Sequence, residues 1–375
     1  MNRPLDANLL IRSLRSPRLL ADLSPPELEQ VVRYARRAGL LANLAARARA
    51  ADVEIPALAD LFEGAEVYAA EYTRAIRWEM HQLAPLVAGL ECPVVVLKGG
   101  AYLGMGLPSA EGRLVSDLDL MVPQGYLEPV EALMLANAYH SQKQDEYDQQ
   151  YYREWMHELP PLVHAARGTV VDLHHNIAPP VSRLKIDAAR LFERAVLLAD
   201  GSPYLRLGDE DLVLHLCVHM FHDGELHNAL RELFDLDAML RRFGADDRFW
   251  AGLYERAREM GLLRPLYYGL RFSRRLLQTP VPDPVSRSLQ AHAPLPPLRW
   301  LVEWAMRRAI LPEQGERLSP LKAMAEQLMF LRAHWLRMPA GMLARHLWTQ
   351  FRRRGGLKTA EQAAAGKDAG GGQRA

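Results

Sequence analysis

The sequence predicts an α+β fold, in which a small mixed β-sheet is flanked by helical regions on its N-terminal and C-terminal sides. Three observations predict it. Residues 1 to about 90 carry apolar side chains at helical spacing, and the same spacing returns from about 185 to 335. Between them, residues 91 to about 178 alternate short runs of β-favouring residues with helical stretches, which is typical of an α/β or α+β unit.

Composition and charge exclude several classes of protein. The 375 residues are 49% hydrophobic and 24% charged, as in ordinary globular proteins. Lys plus Arg number 46 and Asp plus Glu 45, so we expect no long nucleic acid as a partner. Cys92 and Cys217 lie far apart in sequence, which favours a reducing compartment over a structural disulfide. Without a signal-peptide pattern or about 18 consecutive apolar residues, the expected location is the cytoplasm.

The N-terminal region shows two clear helical patterns. Ser24–Glu27 resembles a helix start, with Ser24 as the cap, two prolines in the first turn and Glu27 at the capping-box position. A second amphipathic stretch runs from about Ala57 to Leu90. Helices of this kind usually pack rather than carry chemistry.

The central region predicts the sheet. Its strand, helix and hairpin patterns follow one another as a strand at Pro93–Leu97, a helix from Ala101 to Gly106, a strand at Leu114–Val122, a helix at Tyr126–Ala138, and a hairpin of Leu162–Ala165 and Thr169–Leu173. Arg167 and Gly168 form the hairpin turn in this interpretation.

The C-terminal region predicts helices and a tail. Prolines between 279 and 298 indicate a connector before the last helices, and residues after Gly355 have the composition of a disordered tail. The expected division is therefore an N-terminal helical region (1–90), an α/β core (91–200), a C-terminal helical domain (201–354) and a tail (355–375).

Acidic residues interrupt two of the predicted strands. Asp117 and Asp119 are two apart and project to one face of a strand, as do Asp172 and His174 on another. If these strands are neighbours, three carboxylates converge, and they cannot all stay ionised without a compensating cation. Oxygen-rich sites suit Mg²⁺ or Mn²⁺, which often also hold substrate phosphates. The pattern thus indicates metal-dependent phosphoryl or nucleotidyl transfer.

A glycine turn precedes the acidic strands. Gly99 and Gly100 permit positive φ and a close approach of backbone N–H groups to phosphate, although the pair taken by itself favours a strand-to-helix turn without a ligand. Lys98 either contacts a phosphate or caps the surface. Arg113 either braces a triphosphate or pairs with Glu111 or Asp117, and Ser116 supports the strand edge.

Five short motifs occur in order along the chain. They are Leu97–Gly99, Arg113, Asp117–Asp119, Asp172–His174 and Leu214–His219. Together they resemble the DNA polymerase β-type nucleotidyltransferase superfamily, and within it a bacterial family of uncharacterised nucleotidyltransferases, over about Cys92 to Leu270. Two departures are the 16 residues between Gly100 and Asp117, longer than the usual spacing, and His175 in place of an aromatic residue.

The resemblance implies roles for these residues. Asp117 and Asp119 would hold metal ions on the triphosphate, and Asp172 would complete the second metal site and help to activate an acceptor hydroxyl. The nucleotide-binding set implied is Lys98, Gly99, Gly100, Arg113 and Ser116. His174 can orient the acceptor or assist proton transfer, or it can be a hydrogen-bonded structural histidine.

Other polar residues are expected to be structural. His215, His219 and His222 share one helical face, but without a His-Glu-x-x-His pattern we expect packing or substrate contact rather than zinc. Asp235 and Asp237 lie two apart on a predicted helix and do not share a face. His175 points away from Asp172 and is expected to be structural.

The functional hypothesis is transfer of a nucleoside monophosphate from an NTP, with ATP as the expected donor, to an unidentified hydroxyl acceptor. Its rivals are a nucleotidyltransferase-like module that binds without catalysis and an Asp-x-Asp glycosyltransferase using Mn²⁺. The basic, tryptophan-containing stretch Phe330–Arg354 either packs on its own domain or contacts an anionic membrane surface peripherally.

Overall fold

The structure is a computed structural model that describes residues 8–143, 145, 149–223, 228–313 and 319–345. Within these residues, four α-helices precede the sheet. They are α1 (Leu9–Arg15), α2 (Pro25–Arg37), α3 (Leu41–Ala50) and α4 (Ala59–Ala88). The predicted start of α2 is confirmed, because the Ser24 backbone N–H donates to Glu27 Oε2 at 2.9 Å. Helix α4 confirms the long amphipathic stretch and buries Ile76, Met80 and Leu83.

A seven-stranded mixed sheet forms the centre and confirms the predicted fold class. Its strands are β1 (Val95–Val96), β2 (Asp117–Met121), β3 (Tyr139–Ser141), β4 (Leu162–His164), β5 (Val170–His174), β6 (Val196–Leu197) and β7 (Leu205–Arg206). Their order is β3-β4-β5-β2-β1-β7-β6, with β2–β5 and β1–β7 parallel and the other pairs antiparallel. Strand β7 extends the sheet past residue 200, the expected end of the core.

The β2–β5 pair lies in the middle of the sheet. Leu118 is opposite Val171 and Leu120 is opposite Leu173, and all four side chains are buried in the core. Since side chains alternate between the two faces of a strand, this register places Asp117, Asp119 and Asp172 together on the other face. Burial of the leucines and valines thus decides where the carboxylates lie.

Three shorter helices accompany the sheet. They are α5 (Lys98–Gly104), α6 (Leu127–Ala136) and α7 (Ala189–Glu193). Helix α5 starts three residues earlier than predicted, so Gly99 and Gly100 belong to its first turn rather than to a loop before it. The predicted hairpin is confirmed, because β4 and β5 are antiparallel and Gly168 adopts φ +69° in their turn.

Seven helices follow the sheet in the part of the chain that the structure describes. They are α8 (Asp209–Val218), α9 (Ala229–Phe243), α10 (Asp247–Glu259), α11 (Leu263–Leu277), α12 (Asp283–Gln290), α13 (Pro296–Ile310) and α14 (Pro320–Arg337). The expectation of a simple connector at 279–298 is wrong, because α12 lies within it. Pro284 lies in the first turn of α12, and Pro296 and Pro297 lie in the first turn of α13, where a missing N–H costs no helical hydrogen bond.

One cluster of buried apolar side chains joins these layers. It runs from Leu10 in α1 through the sheet to Met329 in α14. Among the described residues, none of the helices is both long and apolar enough to cross a membrane. Trp335 of the predicted basic stretch is half exposed on α14, while residues 346–354 of that stretch and the expected tail lie outside the described residues.

Candidate active site

Three aspartates converge on the face of the sheet opposite the core leucines. Asp119 on β2 is directly opposite Asp172 on β5. Asp117 lies two residues before Asp119 and therefore on the same face of β2. One carboxylate oxygen from each residue lies within 4.8 Å of the others. The two acidic strands are therefore neighbours, as convergence of the three carboxylates requires.

The three carboxyl groups differ in their electrostatics. Burial, then the charges of Asp119 and Glu158, raises the pKa of Asp172 to about 7. Burial and Asp119 also raise the pKa of Asp117. Burial opposes ionisation of Asp119 as well, but Lys98 and His174 outweigh it and hold the pKa of Asp119 well below its usual range. Asp119 is therefore the carboxyl group of this cluster that ionises most readily.

The donor set fits a hard divalent cation. Asp172 Oδ1 is buried and has no hydrogen-bond partner, which is costly for a carboxylate unless something else compensates it. All three donors are carboxylate oxygens, the ligands that Mg²⁺ and Mn²⁺ prefer. Asp117, Asp119 and Asp172 are therefore the residues that could hold the predicted metal.

Lys98 reaches into this cluster from the start of α5. Its Nζ lies 2.8 Å from Asp119 Oδ1, so it pairs with a carboxylate rather than capping the surface. Its backbone adopts φ +42°, an uncommon conformation for a residue with a side chain. Gly99 and Gly100, which permit positive φ, do not adopt it, and the left-handed residue of this turn is Lys98.

Gly99 and Gly100 are required by close packing of α5 on the sheet. A Cβ at Gly99 would lie 2.6 Å from Val115 Cγ1, and one at Gly100 would lie 2.7 Å from Val96 Cγ1. Both glycines are buried, so the absence of side chains lets the helix approach the strands. Their contact with phosphate stays a prediction.

Arg113 lies in the segment before β2 and is buried. Its guanidinium pairs with Asp235 on α9 and lies 5.4 Å from the centre of the Tyr102 ring. The expected alternatives, Glu111 and Asp117, are therefore not its partners. Bracing a triphosphate would require Arg113 to leave Asp235 unpaired in the interior, so that role stays a prediction. Ser116 Oγ donates to Asp117 Oδ1 at 3.2 Å, as a supporting residue would.

Comparison with known proteins places this arrangement in a family. Residues 24–278 match the family described as uncharacterised nucleotidyltransferase, which is more than half of the chain. The chain belongs to this family. No curated protein and no solved structure matched the chain.

In this member of the family, His174 joins the aspartates to a second group of side chains. Its Nε2 lies 2.9 Å from Asp119 Oδ1, and its Nδ1 lies 3.3 Å from Glu158 Oε2. Burial lowers the pKa of His174, but the hydrogen bond to Asp119 and the charge of Glu158 outweigh it, so the pKa is raised. His174 is thus a hydrogen-bonded histidine at the aspartate cluster, and its role in the reaction stays a prediction.

Sequence reasoning missed His157 and Glu158. The backbone of Glu158 forms an isolated antiparallel β-bridge with that of His174. The centre of the His157 ring lies 5.4 Å from the centre of the His174 ring. Burial, with His174 and Lys98 nearby, lowers the pKa of His157 well below its usual value. No local pattern marks these two residues, because only the packing of their segment against β5 brings them to the site.

Other polar residues considered in the sequence analysis have protein partners in the structure. His219 pairs with Glu232 at 3.2 Å, and Ser182 shares a hydrogen bond of 3.1 Å with His222. Asp235 and Asp237 take different partners, Arg113 and Arg241, so they form no metal pair. The ring of His175 contacts the Met156 carbonyl. Cys92 and Cys217 are free thiols.

Proposed function

We propose that the protein is a metal-dependent nucleotidyltransferase, which moves a nucleoside monophosphate from an NTP to a hydroxyl acceptor. ATP is the expected donor. In this reaction the acceptor oxygen bonds to the α-phosphorus, the bond from that phosphorus to the pyrophosphate oxygen breaks, and the hydroxyl proton passes to a base. The family assignment favours this reaction over glycosyl transfer.

The convergence of three carboxylates carries the proposal. Asp117, Asp119 and Asp172 come from two parallel strands and offer oxygens within 4.8 Å of one another. Two of them have pKa values raised by burial and mutual repulsion, which is unfavourable for the protein alone. Perturbed carboxylates of this kind mark functional sites more often than structural ones.

Mg²⁺ or Mn²⁺ held by the three aspartates would neutralise the triphosphate and the departing pyrophosphate. The chain's own residues supply the rest. Asp172 Oδ1 has no hydrogen-bond partner and can take the proton of the acceptor hydroxyl. His174 holds Asp119 in place through Nε2. Lys98 lies beside the carboxylates with its ammonium on Asp119, and with a cation held by Asp119 this ammonium would be available to contact a phosphate.

One observation favours a second candidate, a nucleotidyltransferase-like module that binds without catalysis. Lys98 and His174 both contact Asp119 Oδ1, so the charge of this carboxylate is already compensated by the protein. If the Lys98–Asp119 pair is permanent, a metal competes for Asp119 at a disadvantage, and nucleotide binding without turnover follows.

Turnover of α-labelled NTP with Mg²⁺ or Mn²⁺, with cell extract as the acceptor source, tests the proposal. We expect label transfer by the wild type and by Asp60→Asn, an exposed carboxylate on α4, but none by the Asp117→Asn, Asp119→Asn double variant. Metal-dependent NTP binding by the wild type without transfer would favour the binding module. Loss of both would leave the aspartate cluster without a nucleotide role.

A further inference from the structure

Beside the aspartates lies a second group of potential ligands with different chemistry. His157, Glu158 and His174 each offer a donor atom within 4.8 Å of the other two. His157 and His174 are 7% and 1% exposed, while the Glu158 side chain is 23% exposed and reaches solvent. The group therefore has two buried imidazoles and one carboxylate that is partly exposed.

The two imidazoles have unsatisfied nitrogen atoms. His157 Nδ1 and His174 Nδ1 are buried and have no hydrogen-bond partner in the described structure. A buried polar atom without a partner costs free energy and calls for a specific explanation. Neither atom is used by the reaction proposed above, because His174 acts there through Nε2.

The proton position on His174 follows from its contact with Asp119. An ionised carboxylate can only accept, so Nε2 carries the proton that is donated to Asp119 Oδ1 across 2.9 Å. In the neutral ring, Nδ1 then presents a lone pair to Glu158 Oε2, which is also an acceptor, at 3.3 Å. Two acceptors that face each other in this way require a cation between or beside them, either a proton or a metal ion.

We propose that His157, Glu158 and His174 form a Zn²⁺ site, separate from the aspartate cluster and independent of the proposed nucleotidyl transfer. Tetrahedral zinc with bonds of about 2.0–2.1 Å spaces its ligands roughly 3.3–3.4 Å apart, and the His174–Glu158 separation already has this length. Two imidazoles and a carboxylate suit zinc, whereas the all-carboxylate cluster suits Mg²⁺ or Mn²⁺.

The link between His174 and Asp119 matches a general feature of zinc sites. A histidine ligand usually donates its second ring N–H to a carboxylate, which fixes the ring and makes it a better ligand. Here Asp119 is that carboxylate. Zinc on Nδ1 would thus hold the segment of His157 and Glu158 against β5 and fix His174 beside the aspartates. The fourth zinc position is left for water or a substrate oxygen.

Zinc binding to the chelator-treated full chain tests the proposal, with Zn²⁺ alone as the probe and a chromophoric chelator as the competitor. We expect one zinc ion per chain, retained by the Asp117→Asn, Asp172→Asn double variant. Asp119→Asn should weaken binding roughly 10- to 100-fold, as loss of a carboxylate behind a zinc-bound histidine does. His157→Gln and Glu158→Gln should weaken it further, and His175→Gln, a neighbouring buried histidine outside the group, should not.

X-ray absorption spectroscopy of zinc bound to the wild type identifies the ligands directly. Because it needs no variant, a variant that fails to fold does not affect the result. Two imidazole ligands in the zinc shell are the expected result. An all-oxygen shell, zinc lost in the Asp117→Asn, Asp172→Asn variant, or affinity unchanged by His157→Gln would each overturn the proposal. In those cases His174 Nδ1 holds a proton toward Glu158 instead.

Discussion

Asp172 is the residue at which the structure and the proposed chemistry meet most directly. Burial and two neighbouring carboxylates raise its pKa to about 7. A carboxyl whose pKa is higher in the folded state than in the unfolded state, where it is about 3.9, binds a proton more tightly when folded. It therefore destabilises the metal-free protein increasingly as pH rises from about 4 to about 7.

Asp172→Asn should remove this penalty. In the presence of a metal chelator, we expect the free energy of unfolding of the variant to exceed that of the wild type by roughly 1–3 kcal/mol at about pH 8. The difference should shrink toward about pH 4. Urea unfolding of both proteins across this range measures it. A variant no more stable than the wild type at the higher pH would show that the carboxylate is compensated in the free protein.

Arg113 and Asp235 form the buried ion pair that the sequence did not indicate, with side chains 7% and 1% exposed. Because removal of one partner leaves a buried charge, Asp235→Asn should cost about 3–5 kcal/mol of the free energy of unfolding. The exposed pair of Arg49 and Glu111 is the matched control, and Glu111→Gln should cost less than about 1 kcal/mol.

The Arg113→Met, Asp235→Leu double variant separates the pair's own contribution from the cost of an orphaned charge. If burial of a lone charge causes the loss, the double variant should recover most of it. Urea unfolding of the wild type, the two single variants and the double variant measures these losses. Equal losses in the single and double variants would instead indicate that the two side chains are needed for packing around Tyr102.

At the scale of elements, α5 depends on its two glycines for contact with the sheet. Gly99→Ala places a Cβ 2.6 Å from Val115 Cγ1, and a branched valine cannot move away easily, so we expect a loss of about 1–3 kcal/mol. Gly64 lies on the exposed side of α4, and a Cβ there meets no atom within 4 Å. Gly64→Ala should therefore stabilise the protein by about 0.5–1 kcal/mol. Thermal unfolding compares them, and similar shifts for both would contradict the packing argument.

Elements with enough residues to show a pattern were predictable from sequence. The 30-residue helix α4 and the five-residue strands β2 and β5 carry clear periodicity, and Gly168 marks the hairpin turn. Strand β1 lies within the predicted strand Pro93–Leu97, but β6 and β7 were not predicted. Each of these two has only two residues, and such strands are defined by their partners rather than by their own sequence. Helix α12 was hidden by prolines that in fact begin helices.

The residues of the candidate site were likewise predictable only in part. Asp117, Asp119 and Asp172 were predictable because alternation along two strands fixes their faces. Glu158 and Asp235 were not, because the contacts of Glu158 with His174 and of Asp235 with Arg113 are made between segments that are separate along the chain. The ion pair of Arg113, for example, spans 122 positions. Residues brought together only by tertiary packing leave no local pattern to read.

At the scale of the whole molecule, one buried network fastens the N-terminal helices to the sheet. Glu79 of α4 is completely buried and accepts from Arg167 Nε at 2.6 Å and from the Tyr139 hydroxyl. Arg167 lies in the β4–β5 turn and Tyr139 on β3, so one carboxylate joins its own helix α4 to two elements of the sheet. Arg167 Nη2 in addition donates to the Tyr139 hydroxyl at 3.1 Å.

This network makes the attachment of α4 dependent on pH. Burial by itself would raise the pKa of Glu79, but the hydrogen bonds and charge of Arg167, with Tyr139, outweigh it and lower the pKa. A carboxyl with a lowered folded-state pKa contributes stability above its unfolded value, about 4.3, and loses it as pH falls through the folded value. The contribution of Glu79 should therefore be constant near neutral pH and disappear in acid.

Glu79→Gln tests the link between the helices and the sheet. Because Arg167 is 26% exposed and can turn toward water when its partner is removed, we expect a loss of roughly 1–3 kcal/mol at about pH 7 rather than that of a fully buried pair. Urea unfolding at several pH values should show the variant and wild type converging below about pH 4. Glu71→Gln, which breaks an exposed pair with Arg74 on the same helix, should cost less than about 1 kcal/mol at any pH. A loss for Glu79→Gln that persists unchanged in acid would mean that side-chain shape, not charge, holds α4 on the sheet.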